Sequence, residues 1–317
     1  MRIFDGISDV KKDTNTTLTL GTFDGVHIGH RKIIERLNEK AQAHNSRNFL
    51  ITFSPHPRSV IGKNFGNNLL STLDEKIVLL EEMGIQNLLV INFTKEFSQL
   101  TPEIFIKDYI IDKVGLKEIV IGHDHHFGKG RGGDESTLRE LGKEYGFEVT
   151  SVEAVDVNGE TVSSTKIRNT LSEGNVLKAK DFLNRFYSFQ GKVIEGDKRG
   201  RELGFPTANI ELDEKLKMLP ALGIYFVETT IGNEKHFGLL SIGKRPTFYN
   251  SGSIIPEVYI YDFSDDIYGK DVTVKVIERL REEIKYNSAD ELIVQMNKDK
   301  FAGVELIKRY KEVLTNN

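Results

Sequence analysis

The sequence predicts an α/β domain with a parallel sheet, followed by a small antiparallel β-barrel that carries a terminal helix. In the first half, apolar runs of strand length alternate with runs of helical periodicity, which is typical of a parallel sheet with helices on both faces. After Phe186, short strands follow one another with glycine or charged turns between them, which is typical of a barrel. The length of 317 residues also favours two domains, and we place them at residues 1–184 and 185–317.

The elements of the first half follow from apolar periodicity and helix-start signals. A capping box of Thr72 and Glu75 predicts the start of one helix, and Thr101 with Pro102 predicts the start of another. The predicted strands are TTLTL (16–20), FLITFSP (49–55), NLLVINF (87–93), EIVI (118–121) and FEVTSVEAV (147–155). The predicted helices are RKIIERLNEKAQA (31–43), TLDEKIVLLEEMG (72–84), TPEIFIKDYI (101–110), LRELGKEYG (138–146) and a last one near 175–186.

The second half contains five clear strand patterns and one long helix. The strands are YSFQGKVIEGD (187–197), GIYFVETTIG (223–232), EKHFGLLSIG (234–243), EVYIYDF (257–263) and VTVKVIERL (272–280). The terminal helix begins near Ser288, where Ser288 and Glu291 have the spacing of a capping box.

Composition excludes several classes of protein. The net charge of −4 argues against a protein that coats nucleic acid. The absence of cysteine rules out disulfides, thiolate metal sites and cysteine catalysis. The N-terminus lacks the apolar core of a signal peptide, and no apolar run approaches the ~20 residues of a membrane helix. We therefore expect a cytoplasmic protein with neither a membrane nor a nucleic acid as its partner.

The stretch GTFDGVHIGH (21–30) lies between a predicted strand and a predicted helix. Its glycines let the backbone approach a ligand closely, and the N–H groups at the helix start suit a phosphate. His27 and His30 would lie beside that phosphate as donors. FSPHP and IGHDHHFG follow other strands of the same sheet, and SSTKIR enters a helix. Neither a P-loop nor a GxGxxG fingerprint is present.

This set of residues fits nucleotidyl transfer, in which charge builds on the oxygens of the α-phosphate of ATP. His27, His30 and Arg168 are candidate donors to that charge, and Ser164 and Thr165 are candidate phosphate ligands. A capping or core role remains open for His27, and a plain N-cap cluster remains open for Ser164 and Thr165. The HDHH run at 123–126 has no fixed zinc spacing, so we favour a ligand loop over a metal site.

In the predicted barrel, the candidate catalytic and metal-binding residues lie in the segments GFPTANI and PEVYIYDF. Thr207 and Asn209 point the same way if the segment is extended, and their oxygens suit Mg²⁺. Glu257 on a strand is a candidate base for a substrate hydroxyl. The alternatives are a turn in which Asn209 bonds its own backbone, and an exposed strand glutamate. LREEIKY (280–286) is either a charged helix turn or part of a ligand flap.

Together these motifs resemble the bacterial bifunctional riboflavin kinase/FAD synthetase family along nearly the whole chain. The resemblance implies a Rossmann-like nucleotidyltransferase domain that adenylylates FMN, and a six-stranded barrel that phosphorylates riboflavin with ATP and Mg²⁺. It implies ATP binding at Gly21, Phe23, Asp24, His27, His30, Asp124, Ser164, Thr165 and Arg168. It implies flavin binding at Ser54, Pro55, His56, Pro57 and Arg281, a metal at Thr207 and Asn209, and the base at Glu257.

The sequence departs from the family pattern at two places. The family loop GxDFxFG reads GHDHHFG here, so His125 replaces an aromatic residue, and Tyr286 stands where Phe is common. Three other functions compete with the expected synthesis of FMN and FAD from riboflavin and ATP. They are an enzyme with one decayed domain, a flavin-sensing or RNA-binding regulator, and an adenylyltransferase for nicotinamide mononucleotide or phosphopantetheine.

Overall fold

The computed structural model describes residues 1–62, 66, 68–196, 204–244 and 254–315. The chain divides into two compact units, Met1–Ser164 and Thr165–Asn317. Part of the motif GDKRGRELGFPTANI, residues 197–203, lies outside the described residues, as do residues 245–248 of SIGKRPTF.

The first unit is built on a six-stranded parallel sheet, which confirms the predicted fold class. Its order across the sheet is β1-β4-β3-β2-β5-β6. The strands are β1 (Arg2–Phe4), β2 (Thr16–Leu20), β3 (Arg47–Ser54), β4 (Asn87–Asn92), β5 (Glu118–Gly122) and β6 (Glu148–Val152). The short β1 pairs with β4 and was not predicted, because three residues are too few to show a period.

Helices follow most of these strands. They are α1 (Ile28–Ala43), α2 (Pro57–Ile61), α3 (Leu73–Glu82), α4 (Pro102–Ile104, continuing as a π-helix over Phe105–Val114) and α5 (Glu135–Tyr145). The predicted capping box is confirmed, since Thr72 accepts from the N–H of Glu75 and Glu75 accepts from the N–H of Thr72. Thr101 is the N-cap of α4, as predicted. A hairpin of β7 (Asp156–Val157) and β8 (Glu160–Thr161) ends the unit.

Alternate side chains of the sheet enter two separate cores, which is why helices cover both faces. Leu18 and Ile119 pack on one face with Ile106 and other residues of α4. Leu50 and Val120 pack on the other face with residues of α1 and α3. Burial of each such side chain stabilises the fold by roughly 1.5–3 kcal/mol.

The second unit begins with two helices and continues as a closed six-stranded barrel of order β10-β13-β12-β11-β14-β9. The helices are α6, which begins at the boundary (Ser164–Ser172), α7 (Val176–Leu183) and the terminal α8 (Ala289–Thr315). The strands are β9 (Tyr187–Ile194), β10 (Thr207–Leu212), β11 (Gly223–Ile231), β12 (Glu234–Lys244), β13 (Ile254–Ile260) and β14 (Asp271–Glu282).

The start of α8 differs in one detail from the prediction. The N–H of Glu291 donates to Ser288 Oγ, as a capping box requires, but the Glu291 carboxylate accepts from the N–H of Asn287 instead of Ser288. The reciprocal bond is therefore displaced by one residue. Among the residues that the structure describes, no helix combines the length and apolarity needed to cross a membrane.

The division into compact units falls after Ser164, the first residue of α6, and the predicted domain boundary at residue 185 stays a prediction. Helix α7 contacts β9 and β14 of the barrel. Its apolar face is buried at Val176, Ala179, Phe182 and Leu183. Helix α7 therefore belongs to the same compact unit as the barrel.

A fragment of residues 165–317 is expected to be more stable than one of residues 185–317. The shorter fragment lacks α7, whose two largest buried side chains alone contribute about 3–6 kcal/mol by burial. That loss corresponds to a fall of about 10 °C or more in the unfolding midpoint. Circular dichroism melting of both fragments checks this, with 175–317, which retains α7 only, as an intermediate. Equal midpoints for all three fragments would show that the barrel is complete from β9 onwards.

Candidate functional site

The direction of chain progression across the parallel sheet reverses between β2 and β5. From β2 the chain moves outward through β3 and β4, and it then returns to the other side of β2 for β5 and β6. Ligands of open α/β sheets bind at such a switch point, beyond the carboxyl ends of the strands. The three predicted motifs at 21–30, 54–57 and 122–128 follow β2, β3 and β5, which are neighbours in the sheet. The topology therefore brings them to one edge.

The turn from β2 into α1 has an unusual backbone. Phe23, Gly25 and Val26 have positive φ angles of 46°, 83° and 38°. Residues that have a Cβ rarely adopt positive φ angles, and strained backbone segments of this kind cluster at ligand sites. Val26 and Phe23 are nonetheless buried, so the packing around them holds the strained turn in place.

The two predicted histidines lie against each other at the start of α1. Their rings stack with centroids 3.6 Å apart and planes 17° apart, and the Phe23 ring lies 5.0 Å from that of His30. His27 is also the N-cap of α1, because its Nδ1 accepts from the N–H of His30 at 3.4 Å. The capping alternative for His27 is therefore realised, and it keeps both imidazoles beside the N–H groups of the helix start.

Asp24 holds the turn to the segment before α3. Its Oδ1 accepts from the N–H groups of Leu70 and Ser71 at 3.0 and 3.1 Å. Ser71 Oγ accepts in turn from the N–H of Gly25 at 2.9 Å. Ser164 Oγ donates to the backbone carbonyl of Asp24 at 3.0 Å. Two residues predicted to bind ATP, Asp24 and Ser164, are thus joined to each other, and Asp24 has a structural role that the sequence did not indicate.

Lys76 is a buried cation beneath this turn, and sequence reasoning missed it. Its Nζ donates to the carbonyl of Thr22 at 2.8 Å and to Thr52 Oγ1 at 3.3 Å. Burial lowers the pKa of Lys76 from 10.5 to about 8, although attraction to Asp24 opposes the shift. The helix pattern of α3 places Lys76 one turn after its N-cap, and nothing local marks the position as buried.

Lys76 is expected to make the stability of the first unit pH-dependent. Between the folded pKa of about 8 and the unfolded value of 10.5, the unfolded chain binds more protons. The free energy of unfolding therefore rises with pH in that window, by about 2 kcal/mol from about pH 7.5 to about pH 10. Urea unfolding of the wild type and of Lys76→Met at both pH values measures the difference. The control variant Lys32→Met, at an exposed position, should retain the wild-type increase in the free energy of unfolding. If Lys76→Met retains that increase as well, the increase comes from groups other than Lys76.

The loops after β3 and β5 flank the turn. The peptide bond between Ser54 and Pro55 is cis. His56 is the N-cap of the short α2, with its Nδ1 accepting from the N–H of Arg58 at 3.1 Å, and Pro57 follows at the first helical position. Flavin binding by Ser54–Pro57 stays a prediction.

In the loop after β5, Asp124 is exposed and His125 stacks on Phe127 with centroids 5.7 Å apart. Burial lowers the pKa of His125 to about 4, so this imidazole is neutral near pH 7. A neutral stacked ring preserves the flat surface of the aromatic residue that the family pattern has at this position. ATP binding by Asp124 stays a prediction.

A second cluster of ionisable side chains lies at the other end of α1. Glu118, fully buried at the start of β5, accepts from Lys40 Nζ at 2.8 Å and from Thr150 Oγ1 at 2.6 Å, and its other oxygen lies 2.7 Å from His44 Nε2. A carboxylate oxygen of Glu148 also lies within 4.8 Å of ligand atoms of His44 and Glu118, so three possible metal ligands are close together. Because Lys40 already neutralises the buried carboxylate, the cluster is better suited to an ion-pair network than to a cation.

Thr165 and Arg168 lie on α6 and belong to the second unit. α6 begins at Ser164, so the predicted entry of SSTKIR into a helix is confirmed. Ile167 and Leu171, on the same helix, are fully buried. The roles of Thr165 and Arg168 toward ATP stay predictions.

The barrel brings the three predicted kinase residues together. Asn209 on β10 is the direct cross-strand partner of Glu257 on β13, and directly paired residues of antiparallel strands share a face. Thr207 lies two residues before Asn209 and therefore on that same face. Its Oγ1 donates to Glu257 Oε2 at 3.3 Å. Thr207–Leu212 is thus an extended strand, which meets the condition for Thr207 and Asn209 to point the same way, and the alternative of a turn is wrong.

The guanidinium of Arg281, a predicted flavin ligand, is engaged within the protein. Its Nε and Nη2 donate to the carboxylate of Asp299 on α8, at 3.0 and 2.7 Å, and Nη1 donates to the carbonyl of Glu282. Gln295 also donates to Asp299, at 2.8 Å. Burial opposes the charge of Arg281, but its hydrogen bonds to the Asp299 carboxylate outweigh that effect and raise the pKa of Arg281. In this structure, Arg281 fixes the segment that leads to α8, and its flavin contact stays a prediction.

Two family models match, and they fall on the two halves of the chain. The FAD synthetase model matches residues 9–166, and the riboflavin kinase model matches residues 183–306. A nucleotidyltransferase-type sheet and a flavokinase-type barrel are thus combined in one polypeptide. The chain belongs to the family of bifunctional riboflavin kinase/FMN adenylyltransferases, as the motifs indicated.

Relatives of that name match nearly the full chain. The one from Listeria monocytogenes is 36% identical over 294 residues, covering 92% of each chain. The one from Escherichia coli K12 is 33% identical, covering 96% of this chain and 97% of its own. A crystal structure described as a macrolide-efflux protein from Streptococcus pneumoniae is 30% identical with a TM-score of 0.85, covering 95% of this chain and 98% of its own. The family assignment rests on the domain models and the named relatives.

Proposed function

We propose that this chain phosphorylates riboflavin to FMN with ATP, and then adenylylates FMN with a second ATP to give FAD and pyrophosphate. The proposal rests chiefly on one observation, that the two family matches fall on two units which each contain their own cluster of reactive side chains. ATP, riboflavin, FMN and FAD are then its small-molecule partners. Because both reactions consume ATP, we place the enzyme in the cytoplasm.

In the barrel, Glu257 orients the terminal hydroxyl of the riboflavin side chain and takes its proton as the oxygen attacks the γ-phosphorus of ATP and ADP leaves. The hydrogen bond from Thr207 to Glu257 fixes the carboxylate on its strand. A strand-borne carboxylate is held more precisely than one on a loop.

The donor set of the barrel fits Mg²⁺. Thr207, Asn209 and Glu257 offer a hydroxyl, an amide carbonyl and a carboxylate on one face, which are the hard oxygen ligands this ion prefers. We assign Thr207 and Asn209 as the residues that hold it. When bound with ATP, the ion neutralises charge on the phosphate oxygens. Glu257 remains the proton acceptor.

At the sheet edge, adenylyl transfer needs donors that are already in place where charge develops on the α-phosphate. His27 and His30 meet this need beside the N–H groups of the α1 start. Ser164, Thr165 and Arg168 add further phosphate donors, and Gly21, Phe23, Asp24 and Asp124 complete the ATP site. The segment Ser54–Pro57 contacts the flavin in this reaction, and Arg281 contacts the flavin in the kinase reaction of the barrel.

The nearest competing function is adenylyl transfer to another acceptor, such as nicotinamide mononucleotide. It would explain the HxGH turn but not the barrel with its PTAN strand. The purified chain should be incubated with riboflavin, ATP and Mg²⁺, and the flavins should then be separated by chromatography. We expect FMN to form first and FAD later. Formation of an adenylylated product only from a non-flavin acceptor would favour the competing function.

A further inference from the structure

The backbone carbonyl of Thr22, at the start of the turn between β2 and α1, is held by two hydrogen bonds. It accepts from Lys76 Nζ at 2.8 Å and from Thr52 Oγ1 at 3.2 Å. Lys76 also donates to Thr52 Oγ1, at 3.3 Å. These three groups therefore bond one another directly before Phe23, the first residue of the turn with a positive φ. The strained part of the turn begins at a fixed point.

Lys76 is buried without an ion-pair partner. It is only 5% exposed, and both of its hydrogen bonds go to neutral groups, a carbonyl and a hydroxyl. Asp24 attracts it, but no ion pair joins Lys76 to any residue that the structure describes. Burying an ammonium group in this way is costly, and lysine is rarely found so deep in a protein. A charge kept at this cost points to a function.

The segment that contains Lys76 also holds the turn at two further points. Asp24 accepts from the N–H groups of Leu70 and Ser71, and the N–H of Gly25 donates to Ser71 Oγ. Leu70 and Ser71 directly precede the N-cap of α3, and Lys76 lies four residues into that helix. The start of α3 thus supports the whole turn, which leads directly into the start of α1 where the two histidines stack.

We propose that Lys76 is a positioning residue for adenylyl transfer. Its ammonium group holds the carbonyl of Thr22 away from the ligand side of the turn, so that the N–H groups at the start of α1 face the phosphates of ATP. Its positive charge lies behind the same turn and favours the negative charge that builds on the α-phosphate. The proposal rests on the proposed function of the turn, and it involves residues of the first unit only.

Lys76→Met in the full chain tests the proposal, because methionine fills a similar space and has neither a donor nor a charge. The kcat/KM for adenylylation of added FMN should fall by about 10- to 100-fold, as expected when catalytic groups are displaced by about an ångström. Most of the loss should fall on kcat, since the histidines act on charge that develops in the transition state. Riboflavin phosphorylation should stay within about twofold of the wild type.

The pH profile of adenylylation separates this role from a purely structural one. Burial lowers the pKa of Lys76 to about 8, and Asp24 on the turn is the charged group that opposes the shift. The groups that face Lys76 from β3 and from the residue after β2 are neutral. In the wild type, kcat/KM should therefore fall above about pH 8, where Lys76 loses its charge. Lys76→Met should lack that fall.

Thr52→Val provides a second route to the same effect, and it decides the matter if Lys76→Met does not fold. Valine keeps the shape of the side chain and removes one of the two hydrogen bonds to the carbonyl of Thr22. Adenylylation should fall by about fivefold, the usual effect of one hydrogen bond, with phosphorylation unchanged. Thr52→Ser, which keeps the hydroxyl, should recover part of the loss.

Lys143→Met is the matched control, since Lys143 is an exposed lysine of α5. It should leave both activities intact. Undiminished adenylylation in folded Lys76→Met or in Thr52→Val, or an equal loss of both activities, overturns the proposal. So does a fall above pH 8 that persists unchanged in Lys76→Met. A wild-type chain that makes no FAD would instead overturn the proposed function.

Discussion

Glu257→Gln is expected to lower the turnover of riboflavin phosphorylation by about 10²-fold or more, the usual contribution of a positioned base. Glutamine keeps the size of the side chain and can still accept from Thr207, whose Oγ1 lies 3.3 Å from Glu257 Oε2. It cannot take the proton of the attacking hydroxyl. The loss should therefore fall on kcat, with the KM for riboflavin little changed.

Adenylylation of added FMN gives the internal control for this variant, and it should proceed at the wild-type rate. Glu234→Gln is the matched external control, because Glu234 is an exposed carboxylate at the start of β12. It should leave both reactions unchanged. Near-normal kinase turnover in Glu257→Gln would make Glu257 a structural strand residue and place the base elsewhere.

His27→Asn and His30→Asn are each expected to lower FAD formation by about 10²–10³-fold, the typical effect of removing one preorganised donor to a developing negative charge. FMN should accumulate instead, because the barrel does not use these residues. Asparagine is chosen over alanine for a structural reason. His27 caps α1 through its Nδ1, and asparagine is among the best N-cap residues, so the helix start is preserved.

The double variant should lose little more than the worse single variant, because the stacked rings form one unit. His44→Gln serves as the control at the other end of the same helix. His44 lies against Glu118, and a glutamine amide can replace that contact as a donor. Wild-type FAD synthesis in the double variant would remove both histidines from the mechanism.

The fold was largely predictable because its signals are local. Alternation, helical periodicity and the Thr72 and Thr101 caps each depend on a few adjacent residues. The strand β10 was harder to recognise, since it is six residues long and starts directly after a proline. The strand pattern was too short to distinguish a strand from a turn in this segment.

The parts of the site that escaped prediction depend on contacts between distant residues. The partners of the buried Lys76 are Thr22, just after β2, and Thr52 on β3, which are both distant from it in the sequence. Arg281 is engaged by Asp299, which lies on α8. Neither partner is marked in the sequence by spacing or by composition.

The packing of α7 shows the same limit. The helical pattern near 175–186 was visible, but the surface it packs on was not. The contacts of α7 with β9 and β14 assign it to the barrel unit. Long-range packing of this kind decides which helix belongs to which unit, and a single sequence does not display it.

The central claim is that one chain catalyses two different transfers from ATP to a flavin. The most direct measurement supplies riboflavin, Mg²⁺ and ATP labelled separately at the α- and the γ-phosphate, and then isolates FAD. The account predicts that FAD carries one phosphate from each position, and that FMN carries only the γ-label. FAD that lacks either label, or FMN that carries the α-label, would contradict it.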